Sequence, residues 1–261
     1  MQSLTFLTQT AKKAGSYLLK HYKNYPYIER GLAKEISTKH DLASEKIILD
    51  ALEEKYPTYN LLSEERGYTD RGSAYTWIVD PLDGSSNYVN GNPFFAICIA
   101  LAHENTLEMG VVYAPYLKEL YTALRGQGAF MNKKRLQVSG YGDLSYAYLM
   151  SCGGGEKDNR RIARLNAKIH PLVKDNRKLG SAALEGAWVA SGRCEGYYSI
   201  HINSWDIAAA ALLIEEAGGK ATCLDGSPWP QQKKQWFLKS SDILFTNGKV
   251  HQSLLNVLSD E

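Results

Sequence analysis

Apolar residues first recur at helical spacing. From Ser3 to about Tyr22, Leu4, Leu7, Ala11, Ala14 and Leu18 fall three or four residues apart, which lays one apolar stripe along a helix that Pro26 ends. Tyr27 to Ser37 mixes charge with Gly31 and shows no period, so it reads as a mobile loop. Thr38 to Asp41 then caps a second helix carrying Leu42, Ile48, Leu49 and Leu52 and stopping before Pro57. Asn60 to Ser63 forms a short strand that runs into Glu64 and Glu65, and Trp77-Ile78-Val79 forms another that ends on Asp80 in a rigid acidic turn. Between Phe94 and Val138, β-branched and apolar runs punctuated by Pro115, Gly126 and Gly128 predict an antiparallel meander. The glycine run after Ser151 and Cys152 reads as a flexible connection before a basic helix bearing Arg160, Arg161 and Arg164. Gly180 to Gly192 predicts a helix of small residues, Gly196 to Ile200 a strand, and Ser204 to Gly219 an alanine- and leucine-rich helix that Gly218 stops. A strand around Lys220 to Leu224, a proline- and glutamine-rich excursion from Gly226 to Lys239, a strand at Ile243 to Thr246 and a closing helix complete the chain, with no internal repeat or free linker.

Composition narrows the possibilities. With 261 residues and 44% hydrophobic content, the chain can bury a full core as one large domain or two packed halves. The net charge of +2, from 30 basic and 28 acidic residues, provides no global basic field, so no nucleic-acid partner is expected and an anionic ligand must be bound locally. Cys98, Cys152, Cys194 and Cys223 are far apart without a CxxC pair, which argues against zinc or redox chemistry. The N-terminus lacks an apolar signal core, and the longest apolar run, Phe94 to Ala102, is too short to span a bilayer. The expected location is the cytoplasm, away from membranes.

The candidate chemistry centres on Trp77-Ile78-Val79-Asp80-Pro81-Leu82-Asp83-Gly84-Ser85-Ser86-Asn87. Two carboxylates flank a proline, and Gly84 lets the backbone approach a ligand. If a helix starts there, its first amides face an anion. A turn in which Asp and Gly serve only the backbone reads equally well on this stretch alone. Glu64 also ends an apolar strand, and Asp206 opens a helix that is otherwise apolar, which would carry the acid inward, where it needs a partner. Asp41, in a first helical turn, reads locally as a dipole cap. Glu64, Asp80, Asp83 and Asp206, with the carbonyl of Leu82, make an all-oxygen set suited to Mg²⁺ or Mn²⁺. Metal ions so placed promote phosphate ester hydrolysis by activating water, and the Ser85 hydroxyl could orient that water or a phosphate oxygen. No Ser-His-Asp or Cys-His arrangement is evident, so no covalent enzyme intermediate is expected.

These residues also carry a resemblance. The Trp77–Asn87 stretch resembles the first signature of the inositol monophosphatase family, and Trp205-Asp206-Ile207-Ala208-Ala209-Ala210 with Glu216-Ala217-Gly218-Gly219 resembles the second. Ser63-Glu64-Glu65, Thr38 to Asp41 and Gly180-Ser181-Ala182-Ala183-Leu184 extend the likeness over nearly the whole chain. The resemblance implies an α+β fold, a layered αβαβα sandwich, with a metal- and phosphate-binding part over 1–142 and a closing part over 143–261. It further implies a Mg²⁺-dependent, lithium-sensitive phosphatase, usually a homodimer, acting on inositol 1-phosphate and related small phosphate esters. Fructose 1,6-bisphosphate, NADP and 3′-phosphoadenosine 5′-phosphate are the alternative substrates, and a regulatory or RNA-associated role is the non-enzymatic alternative.

By the same resemblance Glu64, Asp80, the Leu82 carbonyl, Asp83 and Asp206 bind metal, and Gly84 and Ser85 bind phosphate. Glu64, Ser85 and Asp41 serve catalysis, Asp41 through a third, water-linked metal, which reverses its local reading as a cap. Ala182, Ser199 and Arg177 would meet the substrate, and the loop from Tyr27 to Ser37 would close over the site and help retain the weakest metal. Ser85 stands where threonine is common, which keeps the hydroxyl; Ser199 stands where animal members carry an inositol-binding glutamate. Arg177 with Lys178 could then reach a second phosphate.

Overall fold

The structure is a computed structural model that describes residues 2–22, 39–153, 158–230 and 234–258. The expected lid, Tyr27 to Ser37, and the capping Thr38 lie outside the described residues. Its helices are α1 (Gln2–His21), α2 (Lys39–Lys55), α3 (Ser85–Val89), α4 (Asn159–Ile169), α5 (Ala182–Ala190), α6 (Ser204–Glu216) and α7 (His251–Leu258). An eight-stranded sheet contains β1 (Asn60–Ser63), β2 (Gly67–Thr69), β3 (Tyr75–Asp83), β4 (Ala96–His103), β5 (Thr106–Ala114), β6 (Glu119–Leu124), β7 (Gly128–Met131) and β8 (Lys134–Arg135), in the order β2-β1-β3-β4-β5-β6-β7-β8. A five-stranded sheet contains β9 (Tyr148–Gly153), β10 (Asp175–Arg177), β11 (Gly196–Ile202), β12 (Lys220–Cys223) and β13 (Ser241–Thr246), in the order β10-β9-β11-β13-β12.

Side-chain alternation sets the layers. On β3, Trp77 and Val79 join Ile97, Ile99 and Val111 beneath the stripe of α1 and α2 formed by Leu7, Ala11, Leu18, Ile48 and Leu52. Ile78, Cys98, Ala100 and Val112 point the opposite way, as strand geometry requires, and meet α5 and α6. The far side of those two helices meets Tyr197, Ile243 and Phe245 of the second sheet. Tyr198, Ile200 and Leu244 turn outward from that sheet and pack with Leu165 of α4 and Leu254 of α7. The layers therefore run helix, sheet, helix, sheet, helix, the αβαβα order that the resemblance implies. Helix α6 is apolar on nearly every side because sheets cover both of its faces. Among the described residues no helix is long and apolar enough to cross a membrane.

Two local readings change, and one further strand appears. Strand β3 does not stop at Asp80; it runs on to Asp83, with its pairing shifted so that Pro81 and Leu82 together oppose Ile97. A bulge admits a residue that cannot donate to the ladder. Ser151, Cys152 and Gly153 belong to a strand, β9, rather than to a flexible connection. Parallel pairing with β10 and β11 on either side holds this segment extended, and Gly153 gives α4 room, since a Cβ there would lie 3.1 Å from Ile162 Cγ2. The polar edge strand β10 carries no apolar signal at all.

Helix α6 sits against its neighbours with no space to spare. A Cβ on Gly110 of β5 would stand 3.0 Å from the Ala209 carbonyl oxygen, and one on Gly186 of α5 would stand 2.7 Å from Ala210 Cβ. Gly110→Ala should therefore push α6 off the sheet at a cost of about 1–3 kcal/mol. Urea unfolding measures this, and an unchanged midpoint would show that the helix can yield.

Candidate metal centre

Asp80 and Asp83 lie on either side of the β3 bulge, and Asp206 lies in the first turn of α6. Their carboxylate oxygens approach within 4.8 Å of one another. Each is held by its own local structure. The Leu82 N–H donates to Asp80 Oδ1 at 2.9 Å across the bulge, while the Ser44 hydroxyl of α2 fixes the Pro81 carbonyl at 2.8 Å. Asp83 accepts from the Ser181 hydroxyl and from the Ala183 and Ala182 N–H groups at 2.9 and 3.2 Å, so the start of α5 grips both of its oxygens. Asp206 accepts the Asn203 N–H at 3.1 Å in a capping box.

The electrostatics favour either a counter-ion or bound protons. Desolvation, joined by the charges of Glu64, Asp83 and Asp206, raises Asp80 well above the usual carboxylate range. Asp206 is raised in the same way; the residue keeps some exposure, but its carboxyl is enclosed. Burial pushes Asp83 up to about 6 despite its three donors. Glu64 follows β1 as an exposed residue, yet its carboxyl end lies against Asp80, and desolvation with the charges of Glu65, Asp41 and Asp83 pushes it up to about 7. Buried like charges behave this way when no cation shares the site. The donor set is entirely oxygen, which fits a hard divalent ion such as Mg²⁺ or Mn²⁺.

The other expected site residues fall at varying distances from this trio. Leu82 is buried in the bulge between the two aspartates. Asp41 is buried in the first turn of α2 and acts on Glu64. Gly84 is left-handed (φ 83°), and a Cβ there would strike the Phe94 carbonyl oxygen at 2.7 Å, so only glycine fits. Ser85 is half-buried at the first position of α3. Ala182 opens α5, and its N–H is already committed to Asp83. Ser199 is fully buried on β11, and its hydroxyl has no hydrogen-bond partner among the described residues. Arg177 lies exposed on edge strand β10, its Nε on Asp175 at 2.6 Å and its guanidinium over the Tyr148 ring at 5.5 Å. Lys178 acts instead on Cys152 and Glu185.

Two supporting residues escaped the sequence reading. Glu45 Oε1 accepts from the Ser63 hydroxyl and from the Glu65 and Arg66 N–H groups at 3.2 and 3.1 Å, which fixes the turn that carries Glu64. Its signal was an acid in register with buried Asp41, Ile48 and Leu52 of α2. Ser181 precedes a helix of small residues, and its capping position was the clue to its grip on Asp83.

Residues 1–261 match the model of the family described as the inositol monophosphatase family. The chain belongs to this family. Among similar proteins, an inositol-1-monophosphatase of Mesorhizobium japonicum is 36% identical over 263 residues, 98% of this chain and 95% of that protein. A protein named Nus factor SuhB from Pasteurella multocida is 34% identical over 268 residues, covering 99% of this chain and 97% of that one. The solved structure of a Thermotoga maritima IMPase superimposes with a TM-score of 0.88 at 31% identity, covering 100% of this chain and 98% of that one. Family membership and the acidic cluster point to the same kind of centre.

Raised carboxyl pKa values have a definite linkage sign. Protons held more tightly in the folded state stabilise it fully below the ordinary carboxylate range, and this contribution is lost as pH rises through about 6 for Asp83 and about 7 for Glu64. Thermal unfolding in EDTA should therefore show declining stability from about pH 4.5 to pH 7 relative to the same protein in Mn²⁺. The gap between the two curves should widen with pH; a constant gap would remove the carboxylates as the cation's ligands.

Proposed function

We propose that the protein is a Mg²⁺-dependent phosphomonoesterase that hydrolyses inositol 1-phosphate and related sugar phosphates. The observation that carries this reading is the enclosed aspartate trio, three acids whose mutual repulsion a cation would offset. A divalent ion bound there would polarise a phosphoryl group and offset the negative charge that otherwise repels it. Asp80, Asp83 and Asp206 hold that position. Glu64, whose carboxyl lies against Asp80, would accept a proton from the attacking water. The Ser85 hydroxyl, at the start of α3 beside Gly84, orients a phosphate oxygen. Lithium sensitivity and a homodimer belong to the same reading and rest on the family resemblance.

Loose specificity is expected, because position 199 carries a buried, uncharged serine. A charged acceptor to a ring hydroxyl contributes roughly 1.5–3 kcal/mol, and a serine without a charge leaves that preference out. The kcat/KM values for inositol 1-phosphate and fructose 1,6-bisphosphate are expected to lie within about tenfold of each other. A ratio beyond about a hundredfold, roughly the worth of one to two such bonds, would show that another group reads the sugar.

A second reading is a regulatory or RNA-associated protein that keeps the fold, supported by relatives named Nus factor. Phosphate release from inositol 1-phosphate, fructose 1,6-bisphosphate, NADP and 3′-phosphoadenosine 5′-phosphate, with Mg²⁺ and with EDTA, separates the two. Under the first reading Asp83→Asn should lower turnover by at least about a hundredfold while the protein stays folded by circular dichroism. No release from any of the four esters would favour the second, while metal-independent release would overturn the metal assignment.

A further inference from the structure

The grip on Asp83 comes from Ser181, Ala182 and Ala183, and that segment is itself held by two side chains outside the acidic cluster. Glu185 of α5 is fully buried and turns back toward the approach to its own helix. Its Oε1 accepts the Leu179 N–H at 2.6 Å and the Gly180 N–H at 3.2 Å. From the other side, the Asn87 side-chain amide of α3 donates to the Leu179 carbonyl at 2.8 Å and the Gly180 carbonyl at 3.1 Å, and to the Phe94 carbonyl at 2.7 Å. Gly180 is left-handed (φ 79°), and a Cβ there would meet Asn87 Nδ2 at 3.3 Å. The strand ladder ends at Arg177 and the helix begins at Ala182, so regular backbone pairing does not hold this stretch.

We propose that Glu185 and Asn87 form a two-sided clamp on the Leu179–Gly180 backbone, one holding its amides and the other its carbonyls, and are positioning residues that set Asp83 for the cation. The proposal rests on the reading of the aspartate trio as a metal site. The clamp needs an acceptor at Oε1, not a negative charge. Glutamine keeps that acceptor, whereas alanine leaves two part-buried N–H groups unpaired and frees the segment that orients Asp83. A buried acid that merely complements the start of α5 would behave differently: it would lose stability on either substitution and leave cation affinity alone.

The test uses the full chain with Glu185→Gln, Glu185→Ala and Asn87→Ala. Mn²⁺ affinity is measured by titration against the resonance of free Mn²⁺, and hydrogen exchange of the peptide spanning 179–183 is followed in EDTA. Both alanine variants should bind Mn²⁺ about 10- to 100-fold more weakly and exchange faster over 179–183, while Glu185→Gln stays within about threefold of the wild type. If Glu185→Ala does not fold, Glu185→Asp replaces it, since a side chain one methylene shorter withdraws the same acceptor. Folded alanine variants with wild-type affinity and exchange would overturn the clamp, as would a Glu185→Gln as weak as Glu185→Ala. A wild type that binds no Mn²⁺ instead sinks the metal reading, and the clamp then stands or falls on the exchange in EDTA.

Discussion

Mutual repulsion among enclosed carboxyl groups is the constraint that the rest of this structure answers. Asp80, Asp83 and Asp206 would move apart, or take up protons, if their backbone segments were free to respond. They are not free. A bulge fixes one, a helix start grips the second, and a capping box seats the third. Each device spends an ordinary backbone hydrogen bond on orienting an acid, so the site is built before any cation arrives.

The layers make those devices rigid. Helix α6 lies between two sheets, with backbone-to-Cβ contacts at Gly110 and Gly186 that leave it no lateral freedom. Asp206 rides on that helix, so the packing of alanines against glycines fixes the third carboxylate as firmly as the strand fixes the first two. Burial alone would not achieve this, because larger side chains at the same places would hold the helix further from β5. Small residues here set position rather than volume.

Much of this was legible in the sequence where one residue type could do only one thing. The stripe of α1, that of α2 apart from exposed Leu42, the meander and the apolar α6 all follow from period and composition, because burial on one face, or on every face, leaves a direct trace in the order of residues. Strands β9 and β10 left little trace, since their pairing partners lie far along the chain and Asp175-Asn176-Arg177 carries no apolar residue. The aspartates were visible, but their supports were not. Asn87 was quoted only as part of a motif, Glu45 and Glu185 looked like ordinary helical acids, and only tertiary contacts give them tasks. Arg177 shows the converse: its sequence position suggests a phosphate as partner, while the fold offers it Asp175.

The grip on Asp83 also fixes when the centre can come into being. Its donors lie 98 to 100 residues further along the chain, and Asp206 further still. During synthesis, β3 and its two aspartates leave the ribosome on the order of ten seconds before α6 does. For that interval the growing chain carries a pair of hydrated acids with neither the enclosing helices nor the third ligand. A cation met then finds only a weak, open site. On the proposed metal reading, tight capture would be a property of the finished chain, and occupancy would report that β3, α5 and α6 have been made and docked.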